Sequence, residues 1–154
     1  MKPSVEQILE AAQLALRENV APVATDQWAA SALRSVDVIL SHLQARVAVE
    51  GPMLFEDNRD LASVLAKAEA LELDAALRAG LCAFAAEQAA MPEYPSVNAL
   101  SDLNIKGRGL LDDLLVFCHA QQETAVHAEL RGYLQRHLDR ERRFFFPIFV
   151  GRPV

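Results

Sequence analysis

An all-α fold follows from three features of the sequence: a single-domain bundle of five or six helices over 1–154, with an extended apolar C-terminal tail over 144–154. Alanine and leucine dominate, and glycine is scarce at 6 residues in 154; alanine and leucine lose little side-chain freedom in a helix. Apolar residues recur at helical spacing in long runs, and no strand-like alternation precedes the tail. The length suits one core, since a chain of this size buries roughly two-thirds of its unfolded surface.

The first helix is expected to begin at Ser4. Ser4 can cap it, and Gln7 stands three residues on, as a capping box requires. Val5, Ile8, Leu9, Ala12, Leu16 and Val20 then share one face, and Pro22 ends the run. Thr25 or Asp26 caps a longer second helix. Its stripe is Trp28, Ala32, Val36, Ile39, Leu43 and Val47, and the sequence "EGP" from Glu50 to Pro52 should stop it. "FEDNRD" is turn-rich and offers Asp57 or Asn58 as the next cap, with Leu61, Val64, Leu65, Ala68 and Leu71 following at helical spacing. "LELD" is either a joint or continuous helix. Leu73, Leu77, Leu81 and Phe84 form the next apolar face, with Gly80 inside it, where a small residue can admit a close helix neighbour.

"MPEYPSVNALSDLNIKGRG" is the longest irregular stretch, holding Pro92, Pro95, Gly107 and Gly109, with at most a helical turn near Val97 to Leu103. Loops of this length are often functional, which makes Pro92 to Gly109 the candidate lid or partner-contacting segment. After Gly109 the pattern is helical to Arg143. The polar run "HAQQET" leaves open whether that is one helix or two.

The net charge is −6 and the sequence pI about 5.2. An acidic balance repels phosphate backbones, so nucleic-acid binding is not expected. No segment is apolar for long enough to span a bilayer, and the N-terminus lacks the apolar region of a signal peptide. Cys82 and Cys118 stand far apart, outside any CxxC spacing, which fits a reducing compartment. A cytoplasmic location is the expectation.

Chemistry-bearing groupings are few. His119, Glu123 and His127 are spaced i, i+4, i+8 and would line one helix face; His137 and Glu141 repeat the i, i+4 pair. Helical bundles bind metals with inward Glu and His side chains, but the di-iron type uses Glu-x-x-His on two helices and this chain has none. A polar helix face is the simpler reading, so no metal or other cofactor is expected. "KGRG", Lys106 to Gly109, would hold an anion only if a helix began after it. "RHLDRERR" supplies arginines interleaved with acids at a helix end, where cations complement the dipole. Neither cysteine sits in a nucleophile motif, and the residues specify no reaction.

The tail, "RRFFFPIFVGRPV", holds four of the seven phenylalanines. Phe144, Phe145 and Phe146 span about 200° of a helix surface, too much for one core to bury. Pro147 should push Phe146 out of the α region, ending the helix and leaving "PIFV" extended. Such an arm reaches at most about 36 Å, enough to cross onto a neighbouring subunit. Phe144, Phe145, Phe146, Ile148, Phe149 and Val150 are therefore the interface candidates of a homodimer built on the last helix and tail.

"QILEAAQLALRENVAPV", with the long second helix and "LASVLA" after it, resembles an uncharacterised family of small bacterial helical proteins. In that family a helix of the form LL-x-A-x-x-x-L-x-x-x-V-x-P leads to a long alanine-rich helix, and members tend to be encoded near acyl-CoA dehydrogenase-like and aminoglycoside-phosphotransferase-like proteins. The resemblance covers about the first 70 residues. It implies an accessory role, with an acyl-CoA-metabolism enzyme as a partner, and transfers no catalytic residue.

Three functions stay open on the sequence. The first is a non-catalytic accessory or interaction protein that homodimerises. The second is a bundle that binds an acyl or CoA-type ligand, with Trp28, His42, His119, Glu123 and His127 as candidate contacts. The third is a metal-dependent helical enzyme.

Overall fold

The computed structural model describes the backbone of residues 2–149 and the side chains of residues 2–143. The fold is all-α. Six α-helices follow in order: α1 (Val5–Ala15), α2 (Gln27–Val47), α3 (Glu50–Leu65), α4 (Ala75–Ala89), α5 (Val97–Ala120) and α6 (Ala125–Phe149). A π-helical turn, Leu16–Val20, and a 3-10 turn, Ala21–Val23, continue α1, and a 3-10 segment, Ala66–Ala70, continues α3. No strand occurs among the described residues. The chain divides into two compact units, one of Met1–Glu50 with Glu141–Val154 and one of Gly51–Arg140.

In the first unit the caps stand where the sequence places them. Ser4 and Gln7 form a reciprocal capping box on α1, and Asp26 accepts from the Ala29 amide at 2.9 Å to open α2. The seam between α1 and α2 is polar. Buried Gln13 donates from Nε2 to Ser41 Oγ at 2.8 Å and to the Asp37 carbonyl at 3.2 Å. Arg17 closes a two-pronged contact on the Asp37 carboxylate at 2.8 and 3.0 Å. Neither helix buries an apolar side chain. The apolar stripe read in the sequence of α2 is largely exposed: Trp28 is 77% exposed and Ile39 58%, with Val36, Leu43 and Val47 at 40 to 44%.

The second unit holds the apolar core. Leu61, Val64 and Leu65 of α3, Leu77, Leu81 and Phe84 of α4, Leu103, Leu111 and Leu114 of α5, and Leu130 and Tyr133 of α6 pack into one cluster. Two glycines allow close crossings. A Cβ on Gly107 would stand 2.6 Å from Leu61 Cδ2 and 2.7 Å from Phe84 Cε2, and one on Gly80 would stand 2.8 Å from Leu110 Cδ2.

Several boundaries differ from expectation. Glu50, Gly51 and Pro52 do not stop α2; they form the first turn of α3, where the N–H that proline lacks would have no intrahelical partner anyway. Asp57 and Asn58 are not caps, since both lie inside α3 and are buried. The expected irregular stretch shrinks to residues 90–96, because Ser96 caps α5 through the Ala99 amide at 3.1 Å. Pro92 to Gly109 is therefore no lid. "KGRG" falls in mid-helix and offers no helix N-terminus to an anion, because Gly107 serves packing rather than a turn. Residues 110–143 belong to two helices, separated at 121–124, where Gln122 adopts a positive φ of 55°. The helix end expected at Phe146 lies further on: α6 runs through Pro147 to Phe149. So close to a helix end, the one amide hydrogen bond that a proline removes leaves the rest of the ladder intact. Residues 144–149 of the tail expected to be extended are thus helical, and its remainder, from Val150 on, lies outside the described residues.

Candidate functional site

The densest polar grouping lies in the second unit and centres on Asp57. Asp57 and Asp60 stand one turn apart on α3. Tyr133, His137 and Arg140 stand at i, i+4 and i+7 on α6, with Arg136 beside them. Asn104 reaches in from α5. Apolar periodicity brings these faces together, since Leu61 and Leu65 of α3 and Leu130 of α6 pack in the same core.

Both Asp57 oxygens are fully engaged. Oδ2 accepts from Asn104 Nδ2 at 2.7 Å and from the Tyr133 hydroxyl at 2.9 Å. Oδ1 accepts from Arg140 Nε at 2.9 Å. His137 Nδ1 lies 3.2 Å from both oxygens and so carries the proton on that nitrogen. Asp60 accepts a fork from Arg136 at 2.7 and 3.0 Å and a further bond from Arg140 Nη2 at 2.7 Å. Asn58 extends the network, accepting from Asn104 at 2.9 Å and donating to the Leu100 carbonyl at 2.9 Å. Tyr133 and His137 stack with ring centroids 5.9 Å apart.

The electrostatics follow from these contacts. Burial pushes the Asp57 carboxyl up, but hydrogen bonds from Asn104, Tyr133 and His137, with the imidazole's charge, outweigh it and hold the group below the usual carboxylate range. The Arg136 hydrogen bond, against some burial, does the same for Asp60 with help from Arg140. Burial, followed by the neighbouring Asp57 charge, pushes the Tyr133 phenol far up. Asp57 is thus an ionised acceptor with its lone pairs spent on protein donors. What this arrangement does chemically is tie α3, α5 and α6 together.

A second feature is a groove of about 530 Å³ between the α3 end of this unit and α4. Ala62, Leu65 and Ala66 line it from α3 and its extension and Leu81, Phe84 and Ala85 from α4, with exposed Glu69 and Arg78 at the rim.

Known proteins add no further constraint. No protein-family model matches the chain, and no curated protein or solved structure matches it. Among the described residues no helix is long and apolar enough to cross a membrane.

The residues singled out in the sequence do not converge. Trp28 is exposed on the first turn of α2, and His42 is half-buried on the same helix. His119, Glu123 and His127 share no helix face. His119 is exposed at the end of α5, His127 lies on α6, and Glu123 sits in the turn between, where its Oε1 caps α6 through the Ala125 amide at 2.8 Å. The positive φ at Gln122 breaks the helix that their spacing presumes. No group of three His, Cys, Asp or Glu among the described residues is placed to hold a metal ion. Phe144, Phe145, Phe146, Ile148 and Phe149 lie within α6, with side chains outside the described residues, and Val150 lies outside them altogether. In the sequence "FEDNRD" has the composition of a turn, which masks the Asp57 cluster. A signal was available: acids at i, i+3 on α3 complement arginines at i, i+4 on α6.

Proposed function

We propose that this chain is a non-catalytic interaction protein that homodimerises through the first unit. The apolar strip of α2 is the observation that carries the reading. Trp28, Val36, Ile39, Leu43 and Val47 occupy one helix face at 40 to 77% exposure, over a length of about 28 Å. Each such side chain leaves on the order of 1 kcal/mol of burial unrealised. Contiguous apolar surface of this extent marks an interaction site rather than a solvated face. Two copies of α2 packed antiparallel would cover the strip isologously and set their helix dipoles against each other. The phenylalanine-rich end of α6 groups with the same unit and is the second element of the proposed interface. An accessory role beside an acyl-CoA-metabolism enzyme stays the proposal that the family resemblance suggests.

Light scattering across a dilution series tests this. The full chain is expected to be a dimer at micromolar concentration, and Ile39→Asp a monomer with unchanged helical circular dichroism. A wild-type chain that is monomeric throughout contradicts the reading.

A further inference from the structure

The groove in the second unit has the makings of a ligand site independent of self-association. Two strips line it, one from α3 and the 3-10 segment after it and one from α4. Ala62, Leu65, Ala66 and Glu69 stand at i, i+3, i+4 and i+7, and so do Arg78, Leu81, Cys82 and Ala85 of α4. The alanines leave room where larger side chains would close it. Leu65, Leu81 and Phe84 are buried and form an apolar floor. The volume, about 530 Å³, falls within the range of small-molecule sites, roughly 300–1,000 Å³.

The charges are confined to one end, where the 3-10 segment after α3 leads by four residues to the start of α4. They are not equivalent. Arg78 is anchored, with Nη2 donating to the Leu71 carbonyl at 3.3 Å, and its guanidinium has N–H groups to spare. No hydrogen bond or ion pair holds Glu69 among the described residues, so it is free to swing toward solvent. An anchored guanidinium fork above an apolar floor matches a planar carboxylate with an alkyl chain. From Arg78 to Ala85 the α4 wall runs about 10 Å, of the order of decanoate's chain.

We propose that the α3–α4 groove binds an aliphatic monocarboxylate, its carboxylate on Arg78 and its chain over Leu65, Leu81 and Phe84. Glu69 lies at the same end of the groove and disfavours the head group where it turns inward, so the two rim charges act with opposite signs.

Cys82 supplies the readout. It lines the groove and is exposed, whereas Cys118 is buried and its thiol pushed up by burial and then by Glu123. In the 154-residue chain, saturating decanoate should slow alkylation of Cys82 at least five-fold. Calorimetry with decanoate should show saturable binding, weakened ten-fold or more by Arg78→Gln and tightened by Glu69→Gln. Decanol should bind with less than a two-fold response to either change. Ala85→Phe should abolish both ligands while leaving the circular dichroism and melting temperature close to wild type. Absence of saturable decanoate binding overturns the proposal. So does an Arg78→Gln variant that binds decanoate as well as wild type, or a Glu69→Gln variant that binds it less well, which would point to a cationic or zwitterionic head.

Discussion

Asp37 and Asp57 are both helical aspartates gripped by an arginine, yet their surroundings are opposite. The Asp37 side chain is 31% exposed and its partner Arg17 56%. The Asp57 side chain is 6% exposed and Arg140 11%, with Asn104, Tyr133 and His137 completing the shell. An exposed pair gains little, because water screens it and ordering two side chains costs entropy. A buried one stands or falls with its whole shell. The units differ in the same way. One closes its polar groups inside an apolar core; the other puts polar groups in its helix seam and leaves its apolar strip outside. The first pattern suits a self-sufficient body and the second a surface that expects a partner.

Breaking the two aspartates separates these cases most sharply. Asp57→Ala leaves buried Tyr133 and His137 without their carboxylate acceptor and leaves Arg140 only Asp60; it is expected to cost about 3–5 kcal/mol in urea unfolding. Asp37→Ala is expected to cost about 1 kcal/mol or less. Equal losses would erase the distinction.

The glycines of α5 extend the test to packing. Gly107→Ala forces Leu61 and Phe84 apart and should cost about 1–3 kcal/mol. Gly109→Ala meets nothing within 4 Å and should instead stabilise by about 0.5–1 kcal/mol through helix propensity. The cap on α6 is of the same modest size. Glu123→Ala removes the acceptor for the Ala125 and Val126 amides and should lower stability by about 0.5–1 kcal/mol.

Acid titration probes the same buried network. Asp57 and Asp60 have folded pKa values held below the ordinary value. As pH falls, the unfolded chain, with carboxylates near about 4, takes up protons first. The stability these two groups contribute is therefore complete above about pH 5 and is lost as pH drops through about 4 toward the folded values. Urea midpoints should fall over that window in the wild type, and less steeply in an Asp60→Asn variant.

Much of this fold was legible. Ser4, Gln7 and Asp26 announce two helix starts because their side chains satisfy amides within their own turn, a local matter. Gly80 was read as a close-contact position for a sound reason. The failures share a cause. Asp57, Asn58, Gly107 and Gly109 carry strong turn signals, but tertiary partners overrode them: Asn104 and Tyr133 satisfy the acid, and Leu61 and Phe84 need the space over Gly107. The strip from Trp28 to Val47 was read correctly as apolar and helical. Periodicity alone cannot tell which body covers such a face. The histidine grouping failed because one positive φ at Gln122 rotates everything after it.

Self-association through α2 is most directly tested by an intermolecular distance. Ser35 is exposed beside Val36 on α2, so a spin label on Ser35→Cys in a Cys82→Ser background sits at the edge of the strip without filling it. Double electron–electron resonance should give a resolved intermolecular distance at micromolar protein, lost when Ile39→Asp is added. A featureless background decay in the parent variant would contradict self-association through α2.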